Sequence, residues 1–404
     1  MELQPEVNRL GCLVGLRALL LASLACQALA GCTGRPSRGH PGAAPPPSVS
    51  PPPPGLVQSN APPTSSLQPS PLVQTDLQAV QAIGARIAVV VGARTVLRTV
   101  DGGASWSRDY SGPQSLHQVD FIDPDHGWAV GDTSLLRTVD GATWAAASEP
   151  IGAVLTEVHF VSVLVGYGLS GRSGGAPPSL FSTVDGGLHW RSLRSPVAPV
   201  AVTANSRQDL WLAGSDSLWR SRDGGATWKR RLAAVPAPSG SFAGSGYGAR
   251  LQAAGAGNVW AEFDVGQGAA SQRPWLLYGG GDGDQFECLA AFTGSCPQAR
   301  ADGSYPATVS AVSTTRAVLV ENCPACSSPH GVVSVNLGGA TQRLGQVAVY
   351  GPLSLSFGSP STGYLLAQFR IDPIVPGSGQ VIEITRDGGR TWITASFGTP
   401  APHA

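Results

Sequence analysis

The sequence predicts an all-β protein, folded as a seven-bladed β-propeller with four-stranded blades. Three observations support this fold. A short turn motif recurs five times, the distances between its copies suggest a repeating unit, and the units share one series of short strands. The 404 residues include 52 Gly and 34 Pro, a content that disfavours long helices and favours many turns.

The recurring motif has the form Ser/Thr-x-Asp-x-Gly-x-Thr-Trp, with small departures in individual copies. Its five aspartates are Asp101, Asp140, Asp185, Asp223 and Asp387. The 164 residues between the last two exceed one unit, and two decayed copies fit there, at 280–286 and 335–342. Seven units over residues 76–404 then average about 47 residues, the length of a four-stranded propeller blade.

The second unit shows the strand series most clearly. Residues 117–121 alternate as a strand does, 124–127 form a turn, and two short strands follow at 128–130 and 135–138. The motif therefore joins the third strand of a blade to the fourth. Its Asp can accept backbone N–H bonds, its glycines can adopt positive φ, and its Trp can pack between sheets. We therefore predict a structural role for the motif and assign no catalytic residue.

Residues 1–32 are predicted to be a lipoprotein signal peptide. Ala18 to Ala25 is a short apolar stretch, preceded by Arg9 and Arg17, and is too short to span a bilayer. Leu29-Ala30-Gly31-Cys32 resembles a bacterial lipobox, in which the cysteine is lipidated. Cys26 is the weaker alternative because Leu24 stands where a small residue is required, and a plain secretory signal is a further alternative. The prediction is an extracytoplasmic protein, lipid-anchored to the cell membrane at Cys32.

Residues 33–75 are predicted to be a disordered tether that precedes the propeller at 76–404. The segment contains 13 prolines and no acidic residue, a composition that favours extended polyproline conformation. The whole chain has 26 basic and 26 acidic residues and only 13% charged residues. This balance argues against nucleic acid as a partner, because nucleic-acid binding requires a basic excess.

The topology of such blades puts the motifs on one face and the variable connections on the other. Long connections are expected at 170–178, 265–274, 323–331 and 371–380, mostly in units five to seven. Loop variation on a fixed scaffold is where binding usually lies, although passive variation in loop length is an alternative. The candidate contacts on this face are Arg273, Trp275, Arg370 and Asp372.

Four cysteines, Cys288, Cys296, Cys323 and Cys326, fall inside the predicted propeller. An even number in an exported domain predicts disulfides, and three pairings are possible. The local pairs Cys288–Cys296 and Cys323–Cys326 are favoured. A redox-active Cys323-Pro-Ala-Cys326 and a four-cysteine zinc site are alternatives, but no helix is expected after Cys326 to stabilise a thiolate. We interpret His330 as a solvated loop residue, and we expect no metal and no cofactor.

The motif matches the Asp-box, or bacterial neuraminidase repeat. Residues 125–144, which run from Asp-His-Gly-Trp-Ala-Val-Gly-Asp to the second Asp-box, resemble the repeat of the photosystem II assembly and stability factor family. That resemblance implies a seven-bladed, exported, non-enzymatic propeller, in some relatives a lipoprotein. It identifies the repeat type and does not identify the partner.

Sialidases also carry Asp-boxes, so a sialidase-like glycoside hydrolase is the enzyme alternative. Sialidases need three arginines that clamp the substrate carboxylate, a Tyr–Glu pair and an acidic Asp. Phe369-Arg370-Ile371-Asp372-Pro373 approaches one motif of that family, with an inserted Asp and in the last unit rather than the first. The prediction is therefore a monomeric, non-catalytic scaffold that binds an envelope protein or complex, with glycan binding or hydrolysis as the alternative.

Overall fold

The structure is a computed structural model that describes residues 76–150, 152–171, 177–232, 235, 248–264, 275–281, 286–291, 305–323, 329–338, 341–370 and 378–395. Its regular elements over these ranges are all β-strands. The same ranges contain no helix with the length and apolar character needed to cross a bilayer. The predicted signal peptide and tether lie outside the described residues.

The described strands form six antiparallel sheets, each with its strands in chain order. Sheet 1 contains β1 (Leu77–Ile83), β2 (Ile87–Thr99), β3 (Ser107–Phe121), β4 (Gly127–Gly131), β5 (Leu135–Thr138) and β6 (Ala145–Ala146). Sheet 2 contains β7 (Leu155–Phe160), β8 (Gly166–Ser170), β9 (Ser179–Thr183) and β10 (Arg191–Leu193). Sheet 3 contains β11 (Ala201–Ala204), β12 (Leu210–Ala213), β13 (Leu218–Ser221) and β14 (Lys229–Leu232).

The remaining sheets come from the second half of the chain. Sheet 4 contains β15 (Gly248–Gly255), β16 (Asn258–Asp264), β17 (Trp275–Gly280) and β18 (Phe286–Ala291). Sheet 5 contains β19 (Tyr305–Ala311), β20 (Arg316–Asn322), β21 (His330–Asn336) and β22 (Gln342–Val347). Sheet 6 contains β23 (Gly351–Phe357), β24 (Gly363–Arg370), β25 (Ser378–Thr385) and β26 (Ile393–Thr394). Sheets 4 to 6 correspond to the predicted units five to seven.

The β-propeller and its four-stranded sheets are confirmed, but the predicted count of seven blades is wrong, because the structure has six sheets. Residues 77–146, expected to form two blades, belong to one six-stranded sheet. Strand β2 pairs with β1 over residues 87–92 and continues to pair with β3 over 93–98. Strand β3 likewise continues from β2 to β4, with residues 116–121 on the second partner. Neither strand is interrupted by a loop between its two partners, although β2 bends at Arg94, whose φ is +64°, so the strands of both units join in one sheet.

The sheets close into a ring through their innermost strands. Strands β3, β7, β11, β15, β19 and β23 contact one another in that order, and β23 returns to β1. Among the described strands, sheet 6 packs on sheet 1 to close the ring, and the two sheets share no strand. A buried cluster that includes Val90, Leu97, Leu366 and Ile382 fills this joint.

The hydrophobic core lies between neighbouring sheets, where large aromatic side chains pack. Trp128 of sheet 1 stacks on Phe160 of sheet 2, with ring centroids 3.5 Å apart. The Asp-box tryptophans contribute to the same layers. Trp190 donates from Nε1 to the carbonyl of Ser148, which lies in the segment between β6 and β7. In the decayed fifth box, Phe286 takes the place of Trp and packs edge-on against Trp211 of sheet 3.

Each well-preserved Asp-box is a self-contained network of hydrogen bonds. In the fourth box the Ser221 hydroxyl donates to Asp223 Oδ1 (2.7 Å), and the N–H of Gly225 donates to the Ser221 oxygen (2.8 Å). Thr227 donates from its N–H and its hydroxyl to the two Asp223 oxygens. These bonds to the charged form, that of the Thr227 hydroxyl first, lower the pKa of Asp223 to about 2. The predicted structural role of this box is therefore confirmed.

The boxes also attach to the turn between the first two strands of a blade. The N–H of Gly186 donates to the carbonyl of Leu164, and that of Gly224 donates to the carbonyl of Gln208. Both turn types therefore lie on one face of the propeller. Strands β8, β16, β20 and β24 end at the opposite face, where the predicted long connections begin.

Candidate functional site

A central channel of about 710 Å³ is lined by the innermost strands. Seven strands contribute to it, because sheet 1 supplies both β1 and the second half of β3. Most lining side chains are polar, among them Gln118, Asp120, Glu157, His159 and Ser310. The innermost strand of a sheet has one edge without a strand partner, so its backbone polar groups need other partners.

Glutamine side chains satisfy many of these edge groups. Gln81 donates from Nε2 to the carbonyl of Phe121 (3.0 Å), and the N–H of Phe121 donates to Gln81 Oε1 (2.7 Å). Gln118 makes the same pair of bonds with Val158, both at 2.8 Å. Gln252 bridges from sheet 4 to sheet 5, and Gln380 bridges from sheet 6 to sheet 1. None of these four glutamines was predicted from the sequence.

Acidic side chains also accept hydrogen bonds from strand-edge N–H groups, between sheets 1 and 2 and between sheets 2 and 3. The N–H of Phe160 donates to Asp120 Oδ2 (2.6 Å), and the N–H of Val202 donates to Glu157 Oε1 (3.3 Å). Burial raises the pKa of Asp120, and burial raises the pKa of Glu157 to about 8. His159 lies with Nδ1 3.7 Å from Asp120 Oδ1. These polar groups bond the backbone of the next sheet, which gives them a structural role.

A second cavity, of about 250 Å³, lies between sheets 4 and 5 and reaches sheet 6. Its walls include Arg250, Glu262, Asp264, Tyr305 and Asn322. Asp264 and Asn322 end their strands and Tyr305 begins its own, so the cavity lies toward the face of the long connections. We name it the sheet 4–5 cavity.

Charge in the sheet 4–5 cavity is concentrated on sheet 4. Arg250 and Glu262 are direct cross-strand partners, and Arg250 Nη1 lies 3.5 Å from Glu262 Oε2. The Glu262 side chain is 5% exposed, whereas that of Arg250 is 70% exposed. Burial raises the pKa of Glu262 to about 7, Arg250 opposes that rise, and Asp264 adds to it.

The structure corrects two predictions about individual residues. Trp275 is the first residue of β17 and is 1% exposed, so it is a core residue and not a surface contact. His330 begins β21 and is buried, with Nε2 3.0 Å from the carbonyl oxygen of Tyr350, so it is not a solvated loop residue. Arg370 ends β24, but its side chain lies outside the described residues, as do Arg273 and Asp372.

The four predicted disulfide cysteines are described only in part. Cys288 lies on β18, Cys323 follows β20 and is buried, and both are disulfide-bonded. Cys296 and Cys326 lie outside the described residues, so the pairing stays a prediction. Within the described ranges, no group of three or more His, Cys, Asp or Glu side chains could hold a metal ion.

The described residues of the two sites also bear on the enzyme alternative. A sialidase-like site needs three arginines, but Arg250 is the single arginine among the described residues that line the channel and the cavity. Tyr305 and Glu262 both line the cavity, on different sheets. The described part of the site thus supplies one of the three cations that would clamp a carboxylate.

A family profile, Photosynthesis system II assembly factor YCF48, matches residues 109–269. The chain resembles photosystem II assembly factors. A curated relative, the Photosystem II assembly lipoprotein Ycf48 of Synechococcus sp. (strain CC9902), is 27% identical over 157 residues. That match covers 37% of this chain and 46% of the relative, so the chain spans about half of the relative's length.

Two solved structures are similar to this chain at low identity. The structure described as "YCF48 bound to D1 peptide" has a TM-score of 0.48 and 15% identity, over 77% of this chain and 94% of that one. The GH74 enzyme of Niastella koreensis has a TM-score of 0.51 and 11% identity, over 79% of this chain and 66% of that one. At 11% identity, the second likeness shows the fold and nothing about activity.

Proposed function

We propose that this chain is a membrane-anchored, extracytoplasmic and non-catalytic propeller that binds an envelope protein or complex. Cys32 would carry the lipid, residues 33–75 would hold the propeller away from the membrane, and the propeller would act as a monomer. The partner would bind at the face of the long connections, beside the sheet 4–5 cavity.

The anchor is supported by two independent features. The sequence Leu29-Ala30-Gly31-Cys32 resembles a lipobox after an apolar stretch. The relative from Synechococcus, aligned over less than half of either chain, is itself described as a lipoprotein. Local disulfides at Cys288–Cys296 and Cys323–Cys326 would suit an extracytoplasmic compartment.

The observation that carries the non-catalytic role is the use of the channel's polar side chains. Gln118, Asp120 and Glu157 each accept a backbone N–H of the neighbouring strand, so one acceptor of each side chain already holds two strands together. A general acid or base must instead reach the reacting atoms of a substrate. Binding by a rigid scaffold needs no such group.

Protein binding is supported by the resemblance to assembly factors. The matched family profile is that of an assembly factor, and the Synechococcus relative is named for assembly. One solved protein of that name holds a D1 peptide. We propose the same kind of partner for this chain, a segment of a protein in the envelope, without carrying over the photosystem. Arg273, Arg370 and Asp372 are the proposed contacts on the connections.

The anchor is tested by Cys32→Ser, which removes the thiol that would be lipidated. We expect the variant to leave the membrane fraction, as measured by fractionation of cells and by mass spectrometry of the N-terminal peptide. Cys26→Ser is the matched control and should remain on the membrane. Equal membrane association of Cys32→Ser and the wild type would show that this anchor does not exist.

Binding is tested by crosslinking in native cells, purification of the tagged protein and quantitative mass spectrometry. We expect one dominant envelope protein or complex that is absent from an untagged strain. Recovery of no protein partner, together with retention of the chain on a glycan array, would replace the proposal with glycan binding. Hydrolysis of a sialoside by the purified chain would replace it with the enzyme alternative.

A further inference from the structure

A third cavity, of about 520 Å³, lies between sheets 5 and 6 on the Asp-box face. It is bounded by the start of β20, the end of β21, the turn between β23 and β24, and the last Asp-box. We name it the sheet 5–6 cavity. Its polar walls include Arg316, Ser334, Asn336, Gln342, Ser361 and Arg390.

Two arginine side chains converge in this cavity. The point where a Cβ of Gly388 would lie is 3.7 Å from Arg316 Nη2 and 3.8 Å from Arg390 Nη1. Burial lowers the pKa of Arg316, and the positive charge of Arg390 lowers it further. The fold therefore holds two like charges close together, and an anion beside them would stabilise both.

Most N–H donors of the two guanidinium groups are left for a ligand. Arg316 donates from Nε to Ser334 Oγ at 3.0 Å and from Nη2 to the carbonyl of Gly388 at 3.5 Å. Arg390 donates from Nη1 to the carbonyl of Asp387 at 2.7 Å. Each guanidinium carries five N–H donors, so several remain on both.

These remaining donors can be reached from solvent. Arg390 is exposed, and Arg316 is partly exposed. Among the described buried atoms that lack a hydrogen-bond partner, none is a nitrogen of these two arginines. A ligand in the cavity can therefore contact both guanidinium groups.

The acidic side chain in the cavity wall is already engaged elsewhere. The carboxylate of Asp387 accepts hydrogen bonds from the hydroxyl of Thr385, from the N–H of Arg390, and from the N–H and hydroxyl of Thr391. In the described part of the chain, neither Arg316 nor Arg390 forms an ion pair. The two cations thus have no anionic side chain as a partner there.

The Asp-box does not need an arginine at position 390. Other boxes of the same length form the same network of bonds to their Asp, with Ser105 or Thr227 as donors. The residue that corresponds to Arg390 is apolar in those boxes, where it is Ala104, Leu188 or Ala226. The second arginine is therefore an addition to this box alone among these copies, and the turn itself gives no reason for it.

We propose that the sheet 5–6 cavity binds a phosphate group, with its oxygens between the guanidinium groups of Arg316 and Arg390. A phosphate monoester carries a charge of about −1.5 to −2 at pH 7 and offers three acceptor oxygens. It can accept from both arginines and from a third donor, such as the side-chain amide of Gln342. A carboxylate offers one charge and two oxygens, which match this set of donors less well.

This inference goes beyond the proposed function and is independent of it, because the cavity lies on the face opposite the long connections. Inorganic phosphate and a phosphate ester share the chemistry that the arginines recognise. The cavity of about 520 Å³ has room for either, since one water molecule takes about 30 Å³ in the liquid.

The test uses the purified full chain at neutral pH and constant ionic strength. The probes are sodium phosphate, glycerol 3-phosphate and sodium acetate, and binding is measured by isothermal titration calorimetry and by NMR shifts of backbone amides. The variants are Arg390→Gln and Arg316→Gln. Arg86→Gln is the matched control, because Arg86 is exposed in the turn between β1 and β2, on the same face but outside this cavity.

We expect saturable binding of both phosphate probes, no saturable binding of acetate, and amide shifts at Gly388 and Ser361. Loss of charge-assisted hydrogen bonds should weaken the phosphate probes about tenfold or more in each cavity variant. Arg390→Gln alters an exposed side chain, so it keeps the test valid if Arg316→Gln does not fold. Arg86→Gln should bind like the wild type. Tighter binding of glycerol 3-phosphate would assign the site to a phosphate ester, and tighter binding of inorganic phosphate would assign it to the free anion.

Four results would overturn the assignment. The first is no saturable binding of either phosphate probe, and the second is equal binding by the wild type and Arg390→Gln. An equal loss in Arg86→Gln and Arg390→Gln would mean that binding follows the net charge of the protein and not this cavity. Tighter binding of acetate than of phosphate would replace the phosphate with a carboxylate.

Discussion

One buried side chain contributes two hydrogen bonds to the joint between the first and last sheets. Gln380 accepts a hydrogen bond from the N–H of Leu77 at 2.6 Å and donates to the carbonyl of Leu77 at 2.8 Å. The two residues are 303 positions apart, and both bonds are buried. The substitution Gln380→Leu keeps the approximate size of the side chain but removes its donor and its acceptor.

The expected loss follows from the two backbone groups that this substitution orphans. Each buried polar group left without a partner costs about 1–3 kcal/mol, so the free energy of unfolding should fall by about 2–6 kcal/mol. Typical domains are stable by about 5–15 kcal/mol, so the change should be large and easily measured. Further loss is expected if the joint opens and exposes Val90 and Ile382, which lie in the cluster at this joint.

The assay is equilibrium unfolding in urea, followed by circular dichroism and by tryptophan fluorescence. Gln346→Leu is the matched control, because Gln346 is exposed on β22 and should change stability by no more than about 0.5 kcal/mol. If Gln380→Leu unfolds at the same urea concentration as Gln346→Leu, then the glutamine does not hold the ring closed and the account of closure is wrong.

Three further predictions concern a glycine, a buried acid and an Asp-box. Gly103 has φ +88°, and an added Cβ would lie 2.2 Å from Ile384 Cδ1. Gly84 is the control, because its φ is +75° and the space around it is open. Gly103→Ala should therefore lower the thermal unfolding temperature more than Gly84→Ala does. Because the pKa of Glu157 is raised from 4.5 to about 8, the folded chain keeps a proton that the unfolded chain has lost. The free energy of unfolding should therefore fall as the pH rises from about 4.5 to about 8. Glu157→Gln should remove that fall. Because the pKa of Asp223 is lowered to about 2, its stabilising effect should be lost as the pH falls from about 4 to about 2. Thr227→Val removes a hydroxyl that donates to Asp223 and should raise the pKa of Asp223 in an NMR titration.

Each of these predictions has a contradicting result. Equal losses in the two glycine variants would mean that the contact with Ile384 is relieved without cost. Parallel pH profiles for the wild type and Glu157→Gln between about pH 5 and pH 8 would mean that this carboxyl does not titrate differently on folding. An unchanged carboxyl titration in Thr227→Val would remove the hydroxyl of Thr227 as a cause of the low pKa.

The turns could be predicted from sequence because their chemistry is local. Ser221, Asp223 and Thr227 lie within seven residues and bond one another, so the motif alone specifies the turn. The number of sheets could not be predicted in this way. The number of sheets depends on whether β2 ends after it has paired with β1 or continues to pair with β3. The length of the repeat does not show which of the two occurs.

The candidate site was less visible because it depends on contacts between repeats. Gln81 and Phe121 are 40 residues apart, as are Gln118 and Val158, a distance close to one repeat. Polar residues that recur on the innermost strand of successive units are therefore a signal that could have revealed these bridges. Glu262 gave no such signal, because an alternating strand does not show which of its polar residues lies buried between two sheets.

The central claim is that a protein partner binds at the face of the long connections. Leu353 lines both the channel and the sheet 4–5 cavity and is 39% exposed, whereas Val184 lies in an Asp-box turn on the other face and is 60% exposed. A photo-crosslinking amino acid at each position, irradiated in native cells, compares the two faces directly. The account predicts a discrete crosslinked protein from position 353 and none from position 184. Crosslinking of the same partner from position 184 alone would place the binding surface on the Asp-box face and contradict the account.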